Sequence, residues 1–442
     1  MKTFPKSLLV AALVISIAQV RLAAVVPSAD YPESASPRAG VFDSWLGLEL
    51  DRLIALKSET LANALGDEFT IAQKKDAKAG TVTISVTPKV TEGDQGTWRL
   101  TRSLTDGKPL SIRVYPVKDS SIWITLRPDG PDPERGKTLL TLTIYGADAI
   151  SDVPLGFPFV RMYVMPLATI VSQSKNSIEW GLLTPDPYAY ASVLPSIEAI
   201  REGLPSLVYL DDGCFNERGE PVYIETGLPQ DNEAVFRAAA KGQDRSALSG
   251  GVNCSGFAKW LVDGIVRPAT GGNLFIAPLK EQTSSPETLF TEPYRESRDL
   301  FFALDWTRNL ASAAASLSSG RTVKPDASGV DVIVSRLPGI TPHSKDVGYR
   351  VRDLAPILYY LASKEPGHFY LGAESRERGD PPLRQYHHIA AFFPYFDGNG
   401  RFTVAVFESA RESTLGAHIS QNSDAWVNLV RIRLPEQGYF LP

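Results

Sequence analysis

From about residue 79 the apolar residues alternate with polar ones. In TVTISVT (81–87), Val82, Ile84 and Val86 fall on one side and Thr81, Thr83, Ser85 and Thr87 on the other. SIRVYPV (111–117), SSIWITLRP (120–128) and TLLTLTIYG (138–146) repeat the pattern, with Gly, Pro and Asp between them. Period-two runs separated by turn residues predict an antiparallel sheet or small sandwich, extending to FPFVRMYVMPL (157–167). Upstream, Leu46, Leu50, Leu53, Ile54 and Leu61 recur near helical spacing. That spacing predicts one amphipathic helix or two short ones over 43–65, with Asp43 or Ser44 as N-cap.

The second half mixes periods. SVLPSIEAIREGLPSLVYL (192–210) contains a helix, and DWTRNLASAAASL (305–317) and VRDLAPILYYLAS (351–363) predict two more. Near the end, HHIAAFFPYF and RFTVAVFES flank Asp-Gly-Asn-Gly (397–400), a strong hairpin signal. WVNLVRIRLP (426–435) predicts a last strand. The aromatic cluster around FYLG (369–372) and QYHHIAAFFPYF (385–396) reads as sheet core. The charge-rich turns DPERGK (132–137) and ESRERGD (374–380) read as solvated loops.

The 442 residues allow two or three domains. A composition of 43% hydrophobic and 21% charged residues is that of a globular chain. The net charge of −5 supplies no basic field for a nucleic-acid partner. Lys2 and Lys6, the apolar stretch Ser7–Val20 and the small residues Ala24 and Ala29 have the layout of a secretory signal. No later run is apolar and long enough to suggest an integral span in the mature chain, which is expected in the periplasm or cell envelope. His-x-His, Cys-x-x-Cys and His-Glu-x-x-His spacings do not occur, so neither a metal nor a cofactor is expected.

Candidate chemistry centres on GGVNCSGFAKWLVDGI (250–265). Phe257, Leu261, Gly264 and Ile265 put Cys254 at the N-terminal end of the buried stripe of a helix, with Asn253 or Ser255 as its cap. A thiol there lies at the positive end of the helix dipole, which favours thiolate. The free amides around Asn253, Ser255 and Gly256 are the candidate substrate-binding groups, able to hold an oxyanion. The other cysteine, Cys214, leaves a disulfide to Cys254 open, and such a bridge would abolish thiolate chemistry.

The five histidines are His343, His368, His387, His388 and His418. Alternation sends His387 and His388 to opposite faces of the first hairpin strand. A turn centred on 397–400 brings Glu408 opposite residue 389 or 390, near enough to His388 to orient its imidazole.

These residues resemble a family. GGVNCSGFAKWL is similar to the nucleophile motif of the NlpC-type cell-wall cysteine peptidases. EPGHFYLG (365–372) resembles the start of their first core strand, and HHIAAFFPYFDGNGRFTVAVFES (387–409) their catalytic-histidine hairpin, in the family's order. The resemblance implies Cys254 as nucleophile, His388 as general base and a third residue on the next strand: Glu408, with Ser409 or His418 as fallbacks. Tyr223 is a candidate for the family's oxyanion tyrosine.

The implied fold class is α+β: a papain-like catalytic domain, its Cys-bearing helix on an antiparallel sheet, after an N-terminal β-rich domain. The expected organisation is a signal peptide at 1–24, a mobile lead and helical segment at 25–75 and a sandwich-like accessory domain at 76–170. The hydrolase domain then spans 171–442, with an insertion at about 267–345. The implied reaction is hydrolysis of amide bonds in peptidoglycan stem peptides through a thioester. Two other readings stay open: a non-catalytic envelope scaffold, and a Cys–His amidase or acyltransferase with another substrate.

Overall fold

The computed structural model describes residues 31–283, 300–335, 337–380 and 382–435. The expected signal peptide lies outside them.

Eight strands follow one another as an antiparallel meander: β1 (Glu59–Ala62), β2 (Glu68–Asp76), β3 (Thr81–Pro88), β4 (Trp98–Ser103), β5 (Pro109–Val114), β6 (Ile122–Asp129), β7 (Lys137–Ile144) and β8 (Ala147–Leu155). The alternation read from the sequence sets their faces. Val82, Ile84 and Val86 of β3, Ile122, Ile124 and Leu126 of β6, and Leu140 and Leu142 of β7 are buried.

In the segment before residue 76 the lead is packed, its helices are short, and strands follow them. It holds α1 (Ala35–Gly40), a π-turn at Phe42–Leu46 and α2 (Leu50–Leu53), and then enters the sheet at Glu59. The apolar stripe is real, since Trp45, Leu46 and Leu53 are buried. Single turns laid against a sheet satisfy it as well as one long helix. Strand β1 is mostly exposed and carries no alternation to announce it. Arg38 anchors this lead. Its buried guanidinium donates to the carbonyls of Tyr163 and Met165 and stacks 3.6 Å over the Trp98 ring.

Beyond it come α3 (Leu167–Ser174), α4 (Val193–Gly203), β9 (Leu207–Tyr209), β10 (Gly213–Phe215), β11 (Pro221–Tyr223), α5 (Asn232–Ala238), β12 (Gly250–Val252), α6 (Cys254–Thr270), α7 (Ile276–Leu279) and α8 (Phe302–Ser319). Next are β13 (Tyr349–Arg350), α9 (Leu354–Lys364), β14 (His368–Arg378), β15 (Leu383–Phe396), β16 (Phe402–Glu408), β17 (Arg411–Thr414), α10 (Leu415–Gln421) and β18 (Trp426–Arg433). Strands β13 to β18 form a second antiparallel sheet in the order β13-β18-β14-β15-β16-β17. β9 and β12 pair in parallel, and β10 and β11 form a small hairpin.

This architecture corrects the expected fold class. The chain is β-rich, built mainly on antiparallel sheets of eight and six strands with few helices, rather than on a helix-on-sheet papain-like domain. The reason is proportion. Eight strands form before residue 156, β14 and β15 run for 11 and 14 residues, and several helices are only a turn or two long. Local motifs around Cys254 and His388 constrain their own elements, not the architecture that surrounds them. No helix among the described residues is long and apolar enough to cross a membrane.

Candidate active site

Helix α6 begins where the sequence changes from glycines to an apolar period. Asn253 is extended, and its Oδ1 accepts the Gly256 amide at 2.8 Å, an N-cap satisfying one first-turn donor. Gly256 lets the helix start touch β10: a Cβ there would lie 2.0 Å from the Gly213 carbonyl oxygen. Beneath this junction Gln230 staples the short strands. Its amide donates to the carbonyls of Gly251, Val222 and Cys214 at 2.8, 3.0 and 3.2 Å, and accepts from Gly251 N at 2.8 Å. Sequence reasoning did not single out Gln230.

Cys254 is thereby held half-buried at the first position of α6. Its thiol meets the His388 imidazole, the Ile389 amide and, at 4.0 Å, the Ser255 hydroxyl. Burial opposes ionisation, but His388 first, then the Ile389 N–H and Ser255, overcome it and hold the thiol below its ordinary pKa. The two cysteines are unbridged. Cys214, fully buried on β10, is pushed up to about 12 by burial, so it stays a neutral thiol.

His388 sits on β15 directly across from Glu374 of β14. The register breaks there: Glu374 pairs with His388 but Ser375 pairs with Tyr386, which leaves His387 as the extra residue of a bulge. Simple alternation does not reveal this break. His388 Nε2 lies 2.8 Å from Glu408 Oε2, which leaves Nδ1 as the ring nitrogen available to the sulfur. Burial lowers the pKa of His388. The Cys254 thiolate, then Glu408 and Glu374, outweigh it and push the imidazole up to about 10.

Glu408 ends β16, one step beyond the Ala391↔Phe407 pair. It is 4% exposed, and His388 and then His418 hold its carboxyl well below the usual range. A two-residue turn of Ser409 and Ala410, both at positive φ (46° and 64°), leads from it to Arg411.

The structure thus brings together Cys254, His388 and Glu408. Ser409 lies in the turn. His418, on α10, adjoins Glu408 at the oxygen that His388 contacts, its Nδ1 3.7 Å from Oε2. Asn253, Ser255 and Gly256 build the helix start; Ser255 and Gly256 are buried, and the Ser255 carbonyl accepts from Trp306 Nε1 at 2.9 Å. Tyr223 lies on β11, its hydroxyl 3.5 Å from the Asp231 amide. Tyr209, paired with Val252 across β9 and β12, is a tyrosine near enough to feel the charge of Cys254, and it is 58% exposed. Burial, then Asp211 and Cys254, raise its phenol pKa.

Glu374 corrects the reading of 374–380 as a solvated loop, since it is fully buried within β14. The signal lay in the apolar run FYLGA (369–373) just before it, which carries the strand through the charges. His343 packs its ring against Tyr349, and His368 Nδ1 lies 3.0 Å from the Glu365 carbonyl. No group of three or more His, Cys, Asp and Glu side chains among the described residues is placed to hold a metal ion.

Residues 27–182 match the model of a family described as a domain of unknown function (DUF8515). That stretch contains the eight-stranded sheet and ends well before Cys254. No curated protein and no solved structure matches the chain.

Proposed function

We propose that this chain is a cysteine hydrolase that cleaves amide bonds in peptidoglycan stem peptides, outside the cytoplasm. The observation that carries the proposal is the line Cys254–His388–Glu408, in which a thiol at a helix N-terminus faces an imidazole braced at 2.8 Å by a buried carboxylate. A lowered thiol beside a raised imidazole is a thiolate–imidazolium pair near neutral pH.

The thiolate sulfur attacks the amide carbonyl carbon; the Asn253 and Gly256 amides are already bonded to the Gly213 carbonyl and to Asn253 Oδ1, so the Cys254 and Ser255 amides of the first turn of α6 are the donors offered to the oxygen that becomes negative. As the C–N bond breaks, His388 gives its proton to the leaving amine, and a thioester remains on Cys254. His388, now neutral, takes a proton from water, whose oxygen attacks the thioester. The acid leaves and the sulfur departs as thiolate beside the reprotonated imidazole. Glu408 keeps the ring oriented and stabilises its charge.

The substrate class rests on the resemblance of the Cys254, EPGHFYLG and His388 segments to the NlpC-type motifs, and on the secretory layout of the first residues. The unbridged state of Cys254 favours catalysis over a scaffold role. The test is peptide release from purified peptidoglycan. Cys254→Ala should lower it by about a thousandfold or more with an unchanged circular dichroism spectrum. Equal release by the variant refutes the proposal.

A further inference from the structure

We propose that His418 and Glu374 are positioning residues: Glu374 clamps one ring nitrogen of His418, whose other nitrogen faces Glu408 and keeps that carboxylate charged and aimed at His388. The inference deepens the cysteine-hydrolase reading and rests on it for its consequence in catalysis.

The geometry is a chain of alternating charge running inward from the sulfur. Next to Glu408, His418 Nδ1 lies 3.7 Å from Oε2, and His418 Nε2 lies 2.7 Å from Glu374 Oε1. His418 and Glu374 are both 0% exposed. The Phe392 ring packs edge-on against His418, with centroids 5.1 Å apart. The contacts to the carboxylates lie off the line of aligned hydrogen bonds, so charge and packing hold the ring in place.

A buried carboxylate without a cation is costly, and Glu374 has His418 as its ion-pair partner among the described residues. His418 is therefore held as imidazolium. Burial works against that charge, but Glu374 and then Glu408 push its pKa up to about 9. The charged groups facing the site are Glu374 from β14, His388 from β15, Glu408 from β16 and Arg411 from β17. Arg411 is exposed and 3.6 Å from Glu408 Oε1. With the surface arginine at Oε1 screened by solvent, His418 is the buried cation beside Oε2, the oxygen that His388 contacts.

The test needs no substrate. Alkylation of Cys254 by iodoacetamide, followed by mass spectrometry across pH, reads thiolate formation at its acid limb and loss of the His388 proton at its alkaline limb. Glu374→Gln removes the clamp and a negative charge. It should lower the alkaline inflection by about one pH unit while alkylation persists at low pH. In a double-mutant cycle with His418→Asn the two changes should be non-additive, because Glu374 acts through His418. A purely structural pair would lower the melting temperature and leave the inflection in place; that result overturns the inference. Additive effects also overturn it. A wild-type protein that alkylates like an ordinary thiol overturns the hydrolase reading instead. If neither variant folds, imidazole NMR of the wild type decides: His418 must remain protonated through pH 8, and titration near 6.5 refutes the clamp.

Discussion

Gly256→Ala tests how tightly the fold holds the nucleophile. The added methyl would sit 2.0 Å from the Gly213 oxygen, 3.0 Å from the Gly213 carbonyl carbon and 3.0 Å from the Cys214 Cα. Ordinary contact begins at 3.4 Å, so the helix start or β10 must give by roughly 1.4 Å. All three atoms are backbone, and no side-chain rotation relieves them. Two terms then compete. Alanine is the better helix former by about 1 kcal/mol. Overpacking costs about 1–3 kcal/mol, and the strained Gly213 carbonyl also accepts the Asn253 amide at 3.1 Å, a bond worth about 1 kcal/mol. The clash wins, for a net loss of about 1–3 kcal/mol. Cys254 lies two residues away, and a 1 Å displacement of a reacting group costs about a hundredfold in rate. Urea unfolding should show a lowered midpoint, and alkylation of Cys254 at pH 6 should slow by that order. A variant as stable as the parent, or stabilised as helix propensity alone dictates, with unchanged alkylation, refutes the close-packing argument.

Stability should fall with rising pH through the region where His418 titrates. Its folded pKa of about 9 exceeds its usual 6.5, so its contribution is complete below 6.5 and lost as pH rises through 9. The raised pKa of His388 acts in the same direction and the lowered pKa of Cys254 in the opposite one, so the His418 contribution is read as the difference between the wild type and His418→Asn. Calorimetry should give a slope between those limits more negative by about 1.4 kcal/mol per pH unit in the wild type than in His418→Asn; equal slopes contradict it. Within α6, Lys259 and Asp263 form a buried pair at 2.6 Å. Lys259→Met should cost about 3–5 kcal/mol in urea unfolding. Adding Asp263→Leu should recover most of that, less about 1 kcal/mol for the lost Leu274 N–H bond at 2.8 Å. Equal instability of the single and double variants argues against an uncompensated charge.

The amino-acid sequence by itself determined the local elements. Alternation marked β3, β5, β6 and β7 but not β4, Asp-Gly-Asn-Gly marked the turn between β15 and β16, and Asn253 or Ser255 marked the start of α6, where Asn253 is the cap. These are short-range preferences of backbone and side chain, legible within a dozen residues. The hairpin register also placed Glu408 near His388, because both lie on strands joined by one turn. Tertiary structure decided the rest. It drew Arg38 out of an apparently mobile lead into a core, and it made the whole β-rich. It inserted His387 as a bulge, set Gly256 against a carbonyl, and buried Glu374 beside His418 from two elements 44 positions apart. A charged residue in sequence reads as solvated until a partner from elsewhere in the chain is brought to it. Burial of that pair depends on the energy of their meeting, which no local pattern records.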